Sequence, residues 1–180
     1  MRYHLPSMVL GCVGALVLLS ARAWGEDERL PVRTEFLMQL TAELGDSQAI
    51  GDTPLGGRRI VYVTSGEFSG PGLKGSVLPG GGDWVLVRKD GVTQLDVRIT
   101  LRTDDGALIY VTYRGVSTLS PELRKRILDG ERIDPSEYYF RTTPYFETAT
   151  EKYAWLNNLV TVGVGRRTST GVTYSVYAIR

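Results

Sequence analysis

Residues 83–115 alternate apolar and polar positions in three runs, separated by Lys89-Asp90-Gly91 and Asp104-Asp105-Gly106. Alternation is the period of a strand, and Asp-Gly between alternating runs marks a hairpin. The pattern predicts three consecutive antiparallel strands. With three-residue loops and Gly in the left-handed position, Thr100 faces Tyr110, Arg98 faces Thr112 and Asp96 faces Arg114. In the first hairpin Leu86 faces Gln94 and Trp84 faces Asp96. One face then carries Val85, Val87, Leu95, Val97, Ile99, Leu101, Ile109, Val111 and Tyr113. The other carries Trp84, Asp96, Arg98, Thr100, Arg102, Tyr110, Thr112 and Arg114. A slip of one residue would mix the two sets, which favours this loop length.

Similar patterns extend over the rest of the chain. Residues 36–44 alternate except at Leu37 and predict an opening strand. Residues 45–57 carry Asp52-Thr53-Pro54 and Gly56-Gly57 and predict turns. The β-branched run 58–65 predicts a strand, and the Gly-broken run 67–79 a bent strand or two short ones with bulges. Gly80-Gly81-Gly82 lacks a following Lys-Ser/Thr and precedes a strand, so it predicts a turn rather than a phosphate loop. Residues 120–129 predict the one helix, capped by Ser120, opened by Pro121 and stopped by Gly130. Residues 138–148 are extended with an edge or bulge at Pro144, 152–158 form a short turn or strand start, and 159–166 and 172–179 pair as strands. Eight to ten strands with one short helix fit an antiparallel barrel or sandwich.

The first 25 residues change the picture of where this sheet works. A positive start at Arg2 and His4, an apolar run over residues 8–19 and small residues at Ala21, Ala23 and Gly25 predict a secretory signal. The run is too short to span a bilayer comfortably. Residues 26–35 form an N-terminal extension and 36–180 the barrel domain. The mature product is expected in the periplasm or secreted, without stable membrane association. Cys12 and His4 are the only Cys and His, so the mature chain has no disulfide framework, no Cys/His zinc site and no His-based triad. With Arg2 and Arg22 removed, 19 Lys and Arg balance 20 Asp and Glu, and no basic cluster suggests nucleic acid. A barrel with an open edge would leave room for a homo-oligomer, of no stated symmetry.

Candidate chemistry sits on the polar face of the central strands. Periodicity alone assigns such a face to solvent. Trp84 and Tyr110 among Arg98, Arg114 and Asp96 also suit a pocket for a small anionic or aromatic molecule, because Arg reads carboxylate or phosphate and aromatics stack. Arg141 and Glu147 share a face of the later strand, and Tyr153, Trp155 and Asn157 form a further alternating set. No metal-binding spacing occurs, Asp104-Asp105-Gly106 included, and no cofactor motif is present.

The phrases Gly82-Asp83-Trp84, Leu95-Asp96-Val97-Arg98, Thr103-Asp104-Asp105-Gly106-Ala107, Tyr139-Phe140-Arg141-Thr142-Thr143-Pro144 and Trp155-Leu156-Asn157 resemble the DUF3237 family, also called UPF0311, over residues 36–180. The resemblance implies an all-β fold, a single calycin-like antiparallel barrel with one ligand-sized cavity. It also implies that Asp96, Arg98, Tyr110, Arg141 and Glu147 face the lumen. Gly82-Asp83-Trp84 matches the Gly-x-Trp of lipocalins too, although there it opens the first strand. Two functions are then open. One is a cofactor-free acid–base enzyme of isomerase, tautomerase or lyase type. In it Glu147, Asp96 or Tyr110 move protons and Trp84, Arg98, Arg114, Arg141, Trp155 and Asn157 hold a small anionic or aromatic substrate. The other is an exported protein that binds such a ligand without reaction.

Overall fold

In the computed structural model, which describes residues 30–180, both Asp-Gly turns close as three-residue loops. The Arg88 N–H donates to Val92 O and the Thr103 N–H to Ala107 O, each at 2.9 Å, with Gly91 and Gly106 at φ 83° and 90°. They join β4 (Gly81–Val87), β5 (Thr93–Thr103) and β6 (Leu108–Ser117). The pairs Leu86–Gln94, Asp96–Arg114, Arg98–Thr112 and Thr100–Tyr110 keep the register that the pattern predicts. Of the predicted apolar face only Val87 is not buried.

Nine antiparallel strands make the sheet: these three with β1 (Thr34–Thr53), β2 (Gly56–Gly70), β3 (Leu73–Val77), β7 (Phe140–Glu147), β8 (Thr161–Arg167) and β9 (Gly171–Ile179). Each strand follows the one before it in space except around β3 and β4, and pairing of β1 with β2 and of β4 with β5 closes the ring. β3 and β4 pair successive stretches of the same two neighbours, β2 and β5, and so share one place. A ring of about eight places is wide enough to be filled by side chains or to hold one small ligand. The open edge foreseen from the sequence is therefore absent from this ring, because β1 finds partners on both sides.

Two departures from the expected strands have local causes. The β1 ladder shifts register against β9 between Phe36 and Met38, so Leu37 and Met38 are both buried while Phe36 is exposed. That bulge explains the broken alternation at Leu37. The turns expected over 45–57 are replaced by strand. β1 runs on to Thr53 through three register shifts against β2 and turns only at Pro54 and Leu55. Thr53 Oγ1 donates to Gly56 O at 2.8 Å there. Gly56 is required at φ 132°, since a Cβ would stand 2.3 Å from Val87 O.

One end of the barrel is filled and the other is open. Met38, Phe68, Leu73, Leu101, Ile109 and Leu156 pack the filled end at 2% exposure or less. Leu156 belongs to a 3-10 helix, Glu151–Asn158, where a turn or strand start was expected. Tyr153 of that helix donates to Asp105 on the β5–β6 turn at 3.0 Å, and Lys152 pairs with the same carboxylate at 2.5 Å. At the other end stands α1 (Pro121–Leu128), capped by Ser120 Oγ accepting from Leu123 N–H at 3.2 Å. A further 3-10 turn spans Pro135–Glu137. The signal expected over residues 1–25, with Cys12 and His4, lies outside the described residues.

Candidate functional site

At its α1 end the barrel encloses a cavity of about 460 Å³. Its walls are apolar: Val61, Val63, Val85, Val97, Phe140 and Val172, among others, turn inward. The polar groups converge from different strands. Asp83 comes from β4, Arg59 from β2, Tyr113 from β6, Arg167 from β8, Tyr174 from β9 and Arg124 from α1. Asp83 shares the parity of Val85 and pairs with Val97, which places its side chain inside.

Asp83 is the only carboxylate in the lining among the described residues. Burial pushes its pKa up to about 6, against the lowering effects of the Asp96 N–H and of Arg59 and Arg167. The Asp96 N–H donates to Asp83 Oδ1 at 3.0 Å. Burial raises Tyr113 and Tyr174 well above the ordinary phenol range, with the Asp83 charge adding to it. Both therefore stay protonated and able to donate. Their rings meet edge to face at 5.4 Å, and Phe140 meets Tyr174 at the same distance. Burial lowers Arg167, which Tyr174 and Asp83 oppose, and it lowers Arg124, with Arg59 and Arg167 adding to the effect. Both remain cationic, because guanidinium starts so high.

Asp83 is the one acid in the lining, among the described residues, that opposes three arginines. No ion pair among the described residues involves Arg59, Arg124 or Arg167. Arg167 Nε is buried without an acceptor, while its backbone N–H donates to Tyr138 Oη at 3.1 Å. Such a lining attracts an anion and repels a metal cation. Among the described residues, no three His, Cys, Asp or Glu side chains gather to hold a metal.

The residues singled out from the sequence lie elsewhere, on the outside of the barrel. Trp84 is 36% and Tyr110 40% exposed. The structure does bring Trp84, Asp96, Arg98 and Arg114 together. Arg98 Nη1 pairs with Asp96 Oδ1 at 3.1 Å, and its guanidinium sits 5.0 Å over Trp84. Trp84, Asp96 and Arg114 border an outer groove of about 450 Å³ with Arg58, Gln94 and Thr143. Tyr110 and Glu147 are cross-strand partners, apart from that group. Arg141 stacks at 5.0 Å on Tyr139. Trp155 is exposed, and Asn157 clamps Thr148 by accepting from its N–H at 2.9 Å and donating to its carbonyl at 3.0 Å. The expectation that Asp96, Arg98, Tyr110, Arg141 and Glu147 face the lumen is thus corrected. Their parity places them opposite the core, and the apolar set fills the interior.

The lumen residues carried by strands were legible by the same rule. Asp83 shares parity with Val85, Arg59 with Val61 and Val63, and Tyr174 with Val172 and Val176. A charged residue at the end of an inward row is the signal, and a search of the polar face passes over it.

Comparison with known proteins agrees with this architecture. The UPF0311 protein RPA1785 of Rhodopseudomonas palustris is 35% identical over 148 residues, spanning 82% of this chain and 97% of that one. Its crystal structure, described as a conserved protein of unknown function, superposes with TM-score 0.77 over 84% of this chain and all of that one. A β-barrel-like protein of Acinetobacter baumannii is 38% identical with TM-score 0.74, over 86% of this chain and all of that one. An enzyme of Penicillium herquei, 22% identical, shares the fold with TM-score 0.65 over 86% of this chain and 99% of its own. The family described as protein of unknown function DUF3237 matches residues 32–179, and the chain belongs to it.

Proposed function

We propose that the chain binds a small anionic molecule with an apolar or aromatic body in the barrel lumen and moves a proton on it with Asp83. The observation that carries this reading is a carboxyl with a pKa of about 6 in a cavity lined by three arginines. A group titrating near neutrality can both take and return a proton. In this reading Arg59, Arg124 and Arg167 hold the anion. Tyr113 and Tyr174 donate hydrogen bonds to an oxygen on which charge develops, and the apolar walls exclude water. An isomerisation, tautomerisation or lyase step needs nothing further and no cofactor. The fold houses an enzyme in Penicillium herquei, which at 22% identity speaks only for what such a barrel can hold. The signal-like start at residues 1–25 supports export to the periplasm or beyond.

A second reading, an exported binding protein for the same ligand, is favoured by one observation. Both lumen tyrosines are held far above neutrality, so among the described residues lining the cavity Asp83 is the one carboxyl or phenol that titrates near it. Deuterium wash-in separates the two. Ligands found by thermal shift are incubated with the protein in D2O and followed by mass spectrometry. An enzyme incorporates deuterium, and Asp83→Asn abolishes incorporation while retaining binding. Binding without exchange selects the second reading. Loss of neither binding nor exchange in Asp83→Asn and Arg167→Gln overturns the lumen as the site.

A further inference from the structure

We infer that the lumen is built for a dianion, a ligand carrying two carboxylates or one phosphomonoester, rather than for a singly charged acid. The inference rests on the lumen being the ligand site and adds the ligand's charge. It follows from a count of fixed charges. Arg59, Arg124 and Arg167 line the cavity, and Asp83 is the only carboxylate among the described lining residues. Arginine cannot relieve the excess by losing its proton, as a buried lysine can. With Asp83 ionised two positive charges remain uncompensated, and with Asp83 protonated three remain.

Among the described residues no acid forms an ion pair with any of the three arginines. On and beside α1, Asp129 is paired with Lys125, and Glu131 and Glu137 are paired with Arg126. Asp96 sits on the outer face, engaged by Arg98. The three cations enter from three separate elements, β2, α1 and β8, and the Arg59 charge adds to the lowering of both Arg124 and Arg167, so three positive charges gather at one cavity. A single carboxylate can satisfy one guanidinium in a bidentate pair. Two acid groups, or a phosphate with its three oxygens, can reach more of them. Arg167 Nε, buried and without an acceptor, marks one contact that the protein itself leaves unmade. A buried donor left unmade is costly, which a ligand oxygen would correct.

Isothermal titration of the purified protein with benzamide, benzoate, isophthalate and phenyl phosphate at about pH 8 tests this. These probes share one ring and differ in charge from zero to two. The expected order is benzamide without measurable binding, benzoate weak, and isophthalate or phenyl phosphate at least about tenfold tighter than benzoate. Whichever dianion leads tells dicarboxylate from phosphomonoester. Arg124→Gln and Arg167→Gln, each checked for native circular dichroism, should reduce the dianion advantage most. Benzoate binding as well as both dianions, and weakened equally by these substitutions, would overturn the charge inference while leaving the lumen as the site. No binding of any probe would overturn the inference. Binding untouched by either substitution would sink both it and the lumen reading.

Discussion

Asp83 and Asp96 are joined through the wall of the barrel. The Asp96 N–H donates to Asp83 Oδ1 at 3.0 Å, while one carboxyl faces the cavity and the other faces the outer groove. The contact holds the lumen carboxyl by a backbone donor, so its position does not depend on the side chain at 96. The Asp96 charge nevertheless reaches it and adds to the upward shift.

Stability should therefore carry the imprint of Asp83. Its folded pKa of about 6 lies above the ordinary 3.8. The native state then holds a proton that the unfolded state has lost, so stability is complete below about pH 4 and falls as pH rises through about 6. Two units correspond to about 3 kcal/mol at most. Asp83→Asn keeps an oxygen for the Asp96 N–H and cannot ionise. Urea unfolding should show the variant level with the parent at about pH 4 and more stable at about pH 8, by about 2–3 kcal/mol. A difference independent of pH would refute the shift.

The charges around Asp83 can be tested by sign. Asp96→Asn removes a like charge and leaves the backbone donor, so the Asp83 pKa should fall. Arg59→Gln removes an attracting cation, so it should rise. Carboxyl carbon chemical shifts followed against pH would read both directions. Movement the same way in both variants would contradict the geometry.

Packing below the cavity gives a prediction independent of charge. A Cβ at Gly165 would stand 2.7 Å from the Phe140 ring, which is 4% exposed and packs edge-on against Tyr174. Gly165→Ala should cost about 1–3 kcal/mol by overpacking and displace Tyr174. Gly57→Ala is the control, since the nearest atoms to its Cβ are at 3.9 Å. It should be neutral or slightly stabilising. The midpoint of urea unfolding distinguishes the two, and equal midpoints would count against the packing argument.

Much of this fold could be read from alternation, because register fixes which face every residue takes. The two Asp-Gly loops and the pairs from Leu86–Gln94 to Thr100–Tyr110 followed from spacing alone. Residues 45–53 did not, because a long twisted strand absorbs its irregularity through bulges that have no residue signature beyond scattered glycines. The site escaped for another reason. Polar residues gathered on one face drew attention to Trp84, Asp96 and Arg98. The chemistry of the interior is carried by single polar residues that finish apolar rows, such as Asp83 before Val85 and Arg167 after Gly165. Arg124 could not be placed by any pattern, since its helix meets the cavity only through tertiary packing.

The outer cluster provides the contrast that decides between the two faces. Arg98→Ala removes the pair with Asp96 and the stacking on Trp84, both at groups more than a third exposed. Exposed pairs contribute little, about 0–1 kcal/mol. Arg98→Ala and Glu147→Gln should leave ligand affinity within about twofold, whereas Arg167→Gln should lower it by about tenfold or more, as removal of a charge-assisted contact does. Calorimetric titration with a dianionic probe measures all three. A tenfold loss in Arg98→Ala with none in Arg167→Gln would move the site to the outer groove.

Binding in the lumen should also take up protons. Asp83 is faced by Arg59 from β2, Arg167 from β8, Arg124 from α1 and the neutral Tyr113 and Tyr174 from β6 and β9. At about pH 7 it is mostly ionised, given its value of about 6. An entering anion engages the cations that hold its pKa down and adds a like charge beside it, so its pKa must rise further. The complex then gains up to one proton, held on Asp83 beside the ligand. Titrating isophthalate in HEPES and in Tris, whose ionisation heats differ, gives the proton count from the difference in observed heat. Uptake should shrink above about pH 8 and vanish in Asp83→Asn. Proton release, or uptake that survives Asp83→Asn, would place the titrating group elsewhere.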